Sequence, residues 1–329
     1  MIKMTSTPTI SVVTPVWNGL PYIKETIESV LAQDFQDWEL LIGDNDSTDG
    51  TRDFLRTLTD PRIHVFLHEK NMGAYKNIAF LFAKATSPVV IGLGADDYFL
   101  PGGLATVVRE WEKASPDTAY ITFNWKKRKD HSRLARYSYE VMPKKLDTLN
   151  STLAFFLFGC FPGNLSEIST RVGLFNSVDG FVEHMKYTAD FEFWSRIGKT
   201  YSAILCDADI TFVRRHDRVA STYMSAKGEA FAQRLEVYER LIDELSPYYE
   251  RKKLIDYYNI ETRSFQLRDA IRAILQGQFA NFKAFMNSKS SIFWPKWRQL
   301  IVCLPLALYE DGRLRASVSM AKKIINERK

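Results

Sequence analysis

Long apolar runs are missing from this chain of 329 residues. No segment reaches the roughly 18 consecutive apolar residues that a bilayer-spanning helix needs. The first residues lack the apolar core of a secretory leader. Cysteine is scarce: Cys160, Cys206 and Cys303 stand far apart, with no C-x-x-C pair and no zinc spacing. A disulfide-stapled scaffold and a structural zinc site are thereby excluded, and free thiols in a reducing compartment are expected. The sequence predicts a cytoplasmic location, so the sequons Asn150-Ser-Thr and Asn164-Leu-Ser carry no meaning. A strong charge imbalance is absent too. The net charge is only +5, part of it in Lys126 to Lys129 and in Lys322, Lys323, Arg328 and Lys329. Such runs are solvated faces with some attraction for phosphates or an anionic membrane surface. No recognition motif accompanies them, so nucleic acid is not an expected partner.

Glycine-rich phosphate loops are also lacking. Gly198-Lys-Thr200 matches only the end of a P-loop, and Phe193 sits where that loop needs glycine. Gly92-Leu-Gly-Ala-Asp-Asp97 fails the dinucleotide fingerprint, because Asp97 takes the third glycine position. A nicotinamide oxidoreductase is not expected.

What is present is strand and helix in alternation. Ile10–Thr14, Trp38–Gly43, Ile63–Leu67, Val89–Leu93 and Ala119–Phe123 are predicted strands. Helices follow Pro21, Asp46–Gly50, Gly73 and Pro101, the first with Ile23, Ile27, Val30 and Leu31 on one face. This spacing gives right-handed crossovers and an α/β fold with a mostly parallel sheet. Beyond Trp125 the pattern loosens. A loop at Gly159–Asn164 before a short strand, a short aromatic helix over Ala189–Ile197 and a last strand at Ile210–Val213 are expected. Helical faces then dominate, at Phe231 to Leu245 and at Leu254 to Leu275. The predicted division is residues 1–225 for the α/β domain and 226–329 for a helical extension.

Asp96 and Asp97 sit where the apolar strand Val89–Leu93 runs out. Adjacent carboxylates there are costly unless a cation binds, and ligands of open α/β sheets bind outside the carboxyl ends of strands. A divalent metal with a phosphorylated ligand suits the pair. The alternative is a solvated turn that caps the helix after Pro101. Three segments should converge on the same edge: Thr14-Pro-Val-Trp-Asn18, Asp44-Asn-Asp-Ser-Thr-Asp-Gly-Thr51 and Asn71-Met-Gly-Ala-Tyr-Lys-Asn77.

In order and spacing, these four segments resemble family 2 glycosyltransferases of the GT-A fold across residues 9 to 104. A weaker likeness continues to about residue 222. Four departures stand out. Trp17 replaces the usual Tyr or Phe, Asn45 the second acid of an Asp-Asp pair, Lys76 a common Arg, and Gly94 the first acid of Asp-x-Asp-Asp. The resemblance implies a GT-A sheet flanked by helices and an inverting transfer of sugar from a nucleotide-diphosphate donor, with UDP-sugar favoured. It implies that Pro15, Val16 and Asn18 pack the nucleotide. Asp44 would accept the base imide N–H, and Lys76 would add positive charge at the donor phosphates. Asp97, helped by Asp96 of the nucleotide site, would hold Mn²⁺ or Mg²⁺ against the diphosphate, and His216 would contact the metal or the diphosphate. In Thr188-Ala-Asp-Phe-Glu-Phe-Trp-Ser-Arg196 the resemblance assigns Asp190 as general base, with Glu192 as rival. Val213-Arg-Arg-His-Asp-Arg-Val-Ala-Ser221 is similar to a closing segment in which Arg214 or Arg215 neutralises phosphate.

The implied acceptor is a saccharide or a lipid-linked precursor. A nucleotidyltransferase and a catalytically inactive scaffold that binds sugar nucleotides are the alternatives, the latter because of Gly94. In the tail, Ile292 to Tyr309 combines two tryptophans, basic residues and an apolar run. It is expected either to lie in a membrane interface, on the inner face of the cell membrane, or to pack on the catalytic domain or on a second copy in a homo-oligomer.

Overall fold

The computed structural model describes residues 7–177, 180–214, 229–277 and 279–327. Strands β1 (Ile10–Val16), β2 (Trp38–Asp44), β3 (Ile63–Leu67) and β4 (Val89–Gly92) form as the apolar runs predict. They pair in parallel in the order β3-β2-β1-β4. Chain order reverses beside β1, so a crevice opens at the carboxyl ends of β1 and β4. The crossovers are α1 (Tyr22–Leu31), α2 (Thr51–Leu55) and α3 (Ala74–Lys84). Helix α1 buries Ile23, Ile27 and Val30, but Leu31, its last residue, is exposed.

After β4 come the two-residue strand β5 (Tyr98–Phe99), α4 (Gly103–Glu112) and β6 (Thr118–Thr122). Next are α5 (Arg133–Val141), β7 (Lys145–Leu146), α6 (Thr148–Phe158) and β8 (Ile168–Arg171). Strand β8 inserts between β4 and β6 and runs antiparallel to both. The large sheet continues through β9 (Ser202–Leu205) to β7, while β10 (Thr211–Phe212) pairs with β5 in a separate ribbon. The sheet is therefore mixed: β3-β2-β1-β4 run parallel at one edge, and β6 and β9 form a second parallel pair. Between β8 and β9 lie α7 (Val172–Ser177) and α8 (Ala189–Gly198).

The expected boundary at residue 225 lies outside the described residues. Helix α9 (Glu229–Leu245) packs on α6, and one core runs from Val13 and Leu41 through Phe155 and Phe156 to Leu241, Tyr257 and Ile324. The predicted helix over 254–275 contains a wide turn. It is α10 (Arg251–Tyr258), a π turn at Asn259–Arg263, then α11 (Ser264–Leu275). A π turn leaves backbone carbonyls without their usual partners. Here the Asn259 carbonyl accepts from Ser264 Oγ and Cys303 Sγ. Helix α12 (Phe279–Asn287), a short turn α13 (Lys296–Arg298), α14 (Leu304–Leu308) and α15 (Glu310–Asn326) complete the chain. The segment 292–309 divides its side chains. Ile292, Trp294, Cys303 and Ala307 are buried, while Trp297, Ile301, Leu308 and Tyr309 are exposed.

Candidate active site

The crevice is built from strand ends. Pro15 and Val16 close β1, with Val16 buried and its carbonyl accepting from Asn45 N at 2.8 Å. Trp17 then turns outward and is 60 % exposed. Asn18 adopts a left-handed φ of 52°, which asparagine tolerates. Its Oδ1 accepts from Thr48 N and its own N–H donates to Ser47 Oγ, both at 2.8 Å. The ends of β1 and β2 are thus tied together around Asp44.

Asp44 is fully buried. Its Oδ1 accepts from Ser47 N at 3.2 Å and lies 3.5 Å from Arg52 Nε. Its Oδ2 is buried without a hydrogen-bond partner among the described residues. Buried polar atoms are nearly always paired, so this oxygen is a vacancy for one donor. Asn45 reaches Asn71 Oδ1 at 2.9 Å and accepts from Met72 N at 2.8 Å. This holds the start of α3 against the site.

Asp97 is 2 % exposed. Ser166 Oγ donates to its Oδ2, and Arg214 N donates to Oδ1 at 2.8 Å. Arg214 Nε donates to the Asp96 carbonyl at 2.9 Å, and its guanidinium pairs with Glu25 at 2.5 Å. Burial pushes the Asp97 carboxyl up to about 6, with Asp96 and Glu167 adding repulsion against the two hydrogen bonds. Neither acid caps α4, whose N-cap is Gly102. That removes the helix-capping reading of the pair.

Gly94 has a spatial role. A Cβ there would lie 2.9 Å from Asp97 Oδ2 and 3.0 Å from Asp96 Oδ1. Two carboxylate oxygens converge on the space that a side chain would fill. This charge density, with a carboxyl held above its usual range, fits a divalent cation. Among the described residues no group of three His, Cys, Asp or Glu side chains is placed to hold a metal, so the chain offers Asp96 and Asp97 and leaves positions for water or phosphate oxygens. His216, the other expected ligand, lies outside the described residues, as does Arg215.

Asp190 stands in the first turn of α8, half-buried. Tyr75 Oη donates to its Oδ1 at 3.2 Å, Phe191 N donates to the same oxygen at 2.8 Å, and Cys160 Sγ lies 3.8 Å from Oδ2. The N-cap is Thr188, so Asp190 is not the cap. Burial, then the nearby Asp190 charge, pushes the Tyr75 phenol well above its ordinary value, so it stays a donor. Glu192 is buried and clamped: Arg196 Nε and Nη2 reach its two oxygens at 2.8 and 3.0 Å. Lys76, at the start of α3, is exposed and pairs with Glu183 at 3.0 Å.

Sequence reasoning missed Ser166, Tyr75 and Glu25. Ser166 was visible only as the third residue of a meaningless sequon. Tyr75 lay inside a recognised segment, but nothing in its spacing points across to α8. Glu25 is an ordinary helix-surface acid until Arg214 is placed beside it.

The sequence profile of glycosyl transferase family 2 matches residues 11–169. The putative teichuronic acid biosynthesis glycosyltransferase TuaG of Bacillus subtilis is 42 % identical over 92 residues, which is 27 % of this chain and 36 % of the relative. The chain spans about a third of the length of the first curated relatives that it matches. TarS 1–349 of S. aureus in complex with UDP-GlcNAc superposes with a TM-score of 0.58 at 17 % identity, over 95 % of this chain and 90 % of that one. The mannosyltransferase PcManGT of Pyrobaculum calidifontis, with GDP-Man and Mn²⁺, gives 0.55 at 18 % identity, over 98 % and 86 %. The likeness to both structures is one of fold, and that fold is GT-A. With the sheet order and the profile in agreement, residues 11–169 form a glycosyltransferase family 2 domain.

Proposed function

We propose that this chain transfers a sugar from a nucleoside-diphosphate donor, a UDP-sugar, to a hydroxyl of a saccharide or lipid-linked acceptor. The observation that carries the donor assignment is the unpartnered Oδ2 of buried Asp44. Uracil presents one imide N–H between two carbonyls, which suits one vacant carboxylate oxygen. Guanine presents two adjacent donors, and Asp44 Oδ1 is already engaged by Ser47 N and Arg52. The exposed strand-end residues around Asn18 frame the nucleotide. A divalent ion held by Asp96 and Asp97 would supply positive charge at the diphosphate.

Asp190 is the general base. It receives the acceptor hydroxyl proton while that oxygen bonds to the anomeric carbon. The bond from that carbon to the diphosphate oxygen breaks, UDP leaves, and the anomeric configuration inverts. Support for Asp190 over Glu192 is electrostatic. Asp190 accepts hydrogen bonds from neutral groups, whereas both Glu192 oxygens are already held by the Arg196 guanidinium. An acceptor in surface-polysaccharide synthesis is consistent with the name of the Bacillus subtilis relative.

The test is calorimetric titration with UDP and GDP in Mn²⁺, followed by donor turnover with a panel of UDP-sugars. UDP should bind more tightly than GDP, and Asp44→Ala should weaken UDP by about 1.5–3 kcal/mol, the worth of a hydrogen bond to a charged group. Equal binding of the two nucleotides by the unaltered chain would remove the base-reading role.

A further inference from the structure

Exposed large apolar side chains are unevenly distributed. Eleven occur among the described residues, and seven lie between positions 275 and 309: Leu275, Phe279, Met286, Trp297, Ile301, Leu308 and Tyr309. They sit on α11, α12 and the α13–α14 run, which share a small separate core of Leu267, Phe285, Trp294 and Cys303. That core is already closed by buried groups, so the seven are surplus to it. Trp297, Ile301 and Leu308 all lie along the continuous helical run Lys296–Leu308, which includes a π turn at Gln299–Cys303. Ile271, Leu275 and Leu308 line one shallow cleft together with Arg268, Arg272 and Glu310.

Charge follows the same segment. Residues 270–309 contain no Asp or Glu, but carry Arg272, Lys283, Lys289, Lys296 and Arg298. Arg272, Lys283 and Lys289 are exposed, and Arg272 lies within electrostatic reach of Asp269 and Glu310. Arg298 stacks on the Trp294 ring at 3.9 Å and lies 3.4 Å from Asp256. The nearest acids, Asp269 and Glu310, lie just outside the segment, and Arg268 binds both. The face is therefore apolar and basic together. Among the described residues no helix is long and apolar enough to cross a membrane.

We propose that the α11–α14 face docks on an anionic phospholipid bilayer, with Trp297, Ile301, Leu308 and Tyr309 entering the headgroup boundary. Tryptophan and tyrosine favour that boundary, because their rings are apolar and their N–H and O–H groups remain hydrated. The exposed lysines and Arg272 meet lipid phosphate, and they outnumber the acids at the edge of the face, Asp269 and Glu310, which Arg268 pairs. A second protein surface would be expected to present acids as well as bases on this face. The proposal is independent of the donor reading, because no residue of this face belongs to the crevice.

The experiment is vesicle flotation of the full chain, with phosphatidylcholine plus phosphatidylglycerol and with phosphatidylcholine alone. The unaltered chain should float with the anionic vesicles and bind them at least about ten-fold better than neutral ones, an advantage that high salt removes. A variant with Trp297→Ser, Ile301→Ser and Leu308→Ser should lose about ten-fold or more in binding while keeping its thermal midpoint. A second variant, Arg272→Glu, Lys283→Glu and Lys289→Glu, should lose the anionic preference through charge alone. Failure of the unaltered chain to float with anionic vesicles overturns the proposal, as does undiminished flotation of both variants. A dimer in sedimentation velocity that the serine variant splits, with no flotation, gives the face to a second copy.

Discussion

Asp97 carries two demands that conflict when no cation is present. Its carboxylate is buried beside Asp96 and Glu167, and its carboxyl titrates near 6 in place of 3.8. The folded chain thus holds this proton more tightly than the unfolded chain. The resulting stability is present below about 3.8 and is lost as pH rises through 6. A shift of about two units corresponds to roughly 3 kcal/mol. Asp97→Asn should therefore raise the melting temperature of the metal-free protein at pH 7.5, with the gain shrinking as pH falls toward 4. The same variant should abolish Mn²⁺-dependent turnover. A variant less stable than its parent at pH 7.5 would contradict the account. Asp190 makes a different prediction. Asp190→Asn should lower kcat by about 10² to 10⁴ with UDP affinity nearly unchanged, and Glu192→Gln should cost less in kcat. Rates of the two variants with saturating donor decide between the acids. Asp44, Asp97 and Asp190 stand out as candidates in the sequence because each ends a strand, follows one or opens a helix in a recognisable run. Ser166 does not, and Arg214 stands out for its charge and not for the backbone N–H that it gives Asp97. Their role depends on which chain segments meet in space.

At the scale of elements, the site depends on β8. This strand brings the turn Leu165–Glu167 against the end of β4, and so brings Ser166 to Asp97 and to Gly94 N. The approach is close because residue 92 has no side chain. A Cβ there would meet Leu165 Cδ1 and Cγ at 2.4 Å and the Leu165 carbonyl at 2.7 Å. Backbone cannot give way as a flexible side chain does. Gly92→Ala should destabilise the fold by about 1–3 kcal/mol and reduce Mn²⁺-dependent turnover, because Ser166 is displaced as well. Urea denaturation with matched activity assays measures both, and unchanged stability would mean that the turn relaxes freely. The antiparallel insertion itself was not legible. Ile168 to Arg171 has the composition of a strand, but composition does not give direction, and the linker from β6 contains α5, β7 and α6, which conceal the pairing. The four parallel strands were legible because each alternates with a helix at short range.

For the whole molecule, the division into a catalytic part and a helical tail describes the sequence better than the packing. Tyr257 Oη donates to the Leu157 carbonyl, and Ala321 and Ile324 are buried in the core that includes α6. Periodicity announced those helices but not which surface they cover. The crevice and the basic apolar face involve separate residues, and the distribution of indole rings follows this separation. Of the seven tryptophans, Trp38, Trp111, Trp125, Trp194 and Trp294 are buried, while Trp17 and Trp297 are 60 % and 64 % exposed. Iodide should therefore quench only a minor share of the intrinsic emission, from one fluorophore at each surface. UDP should shield the first fluorophore and leave the second accessible, and Trp17→Phe and Trp297→Phe should each delete one component of a two-term Stern–Volmer plot. The protein thus contains two optical reporters, one on each surface, and needs no added dye for either measurement.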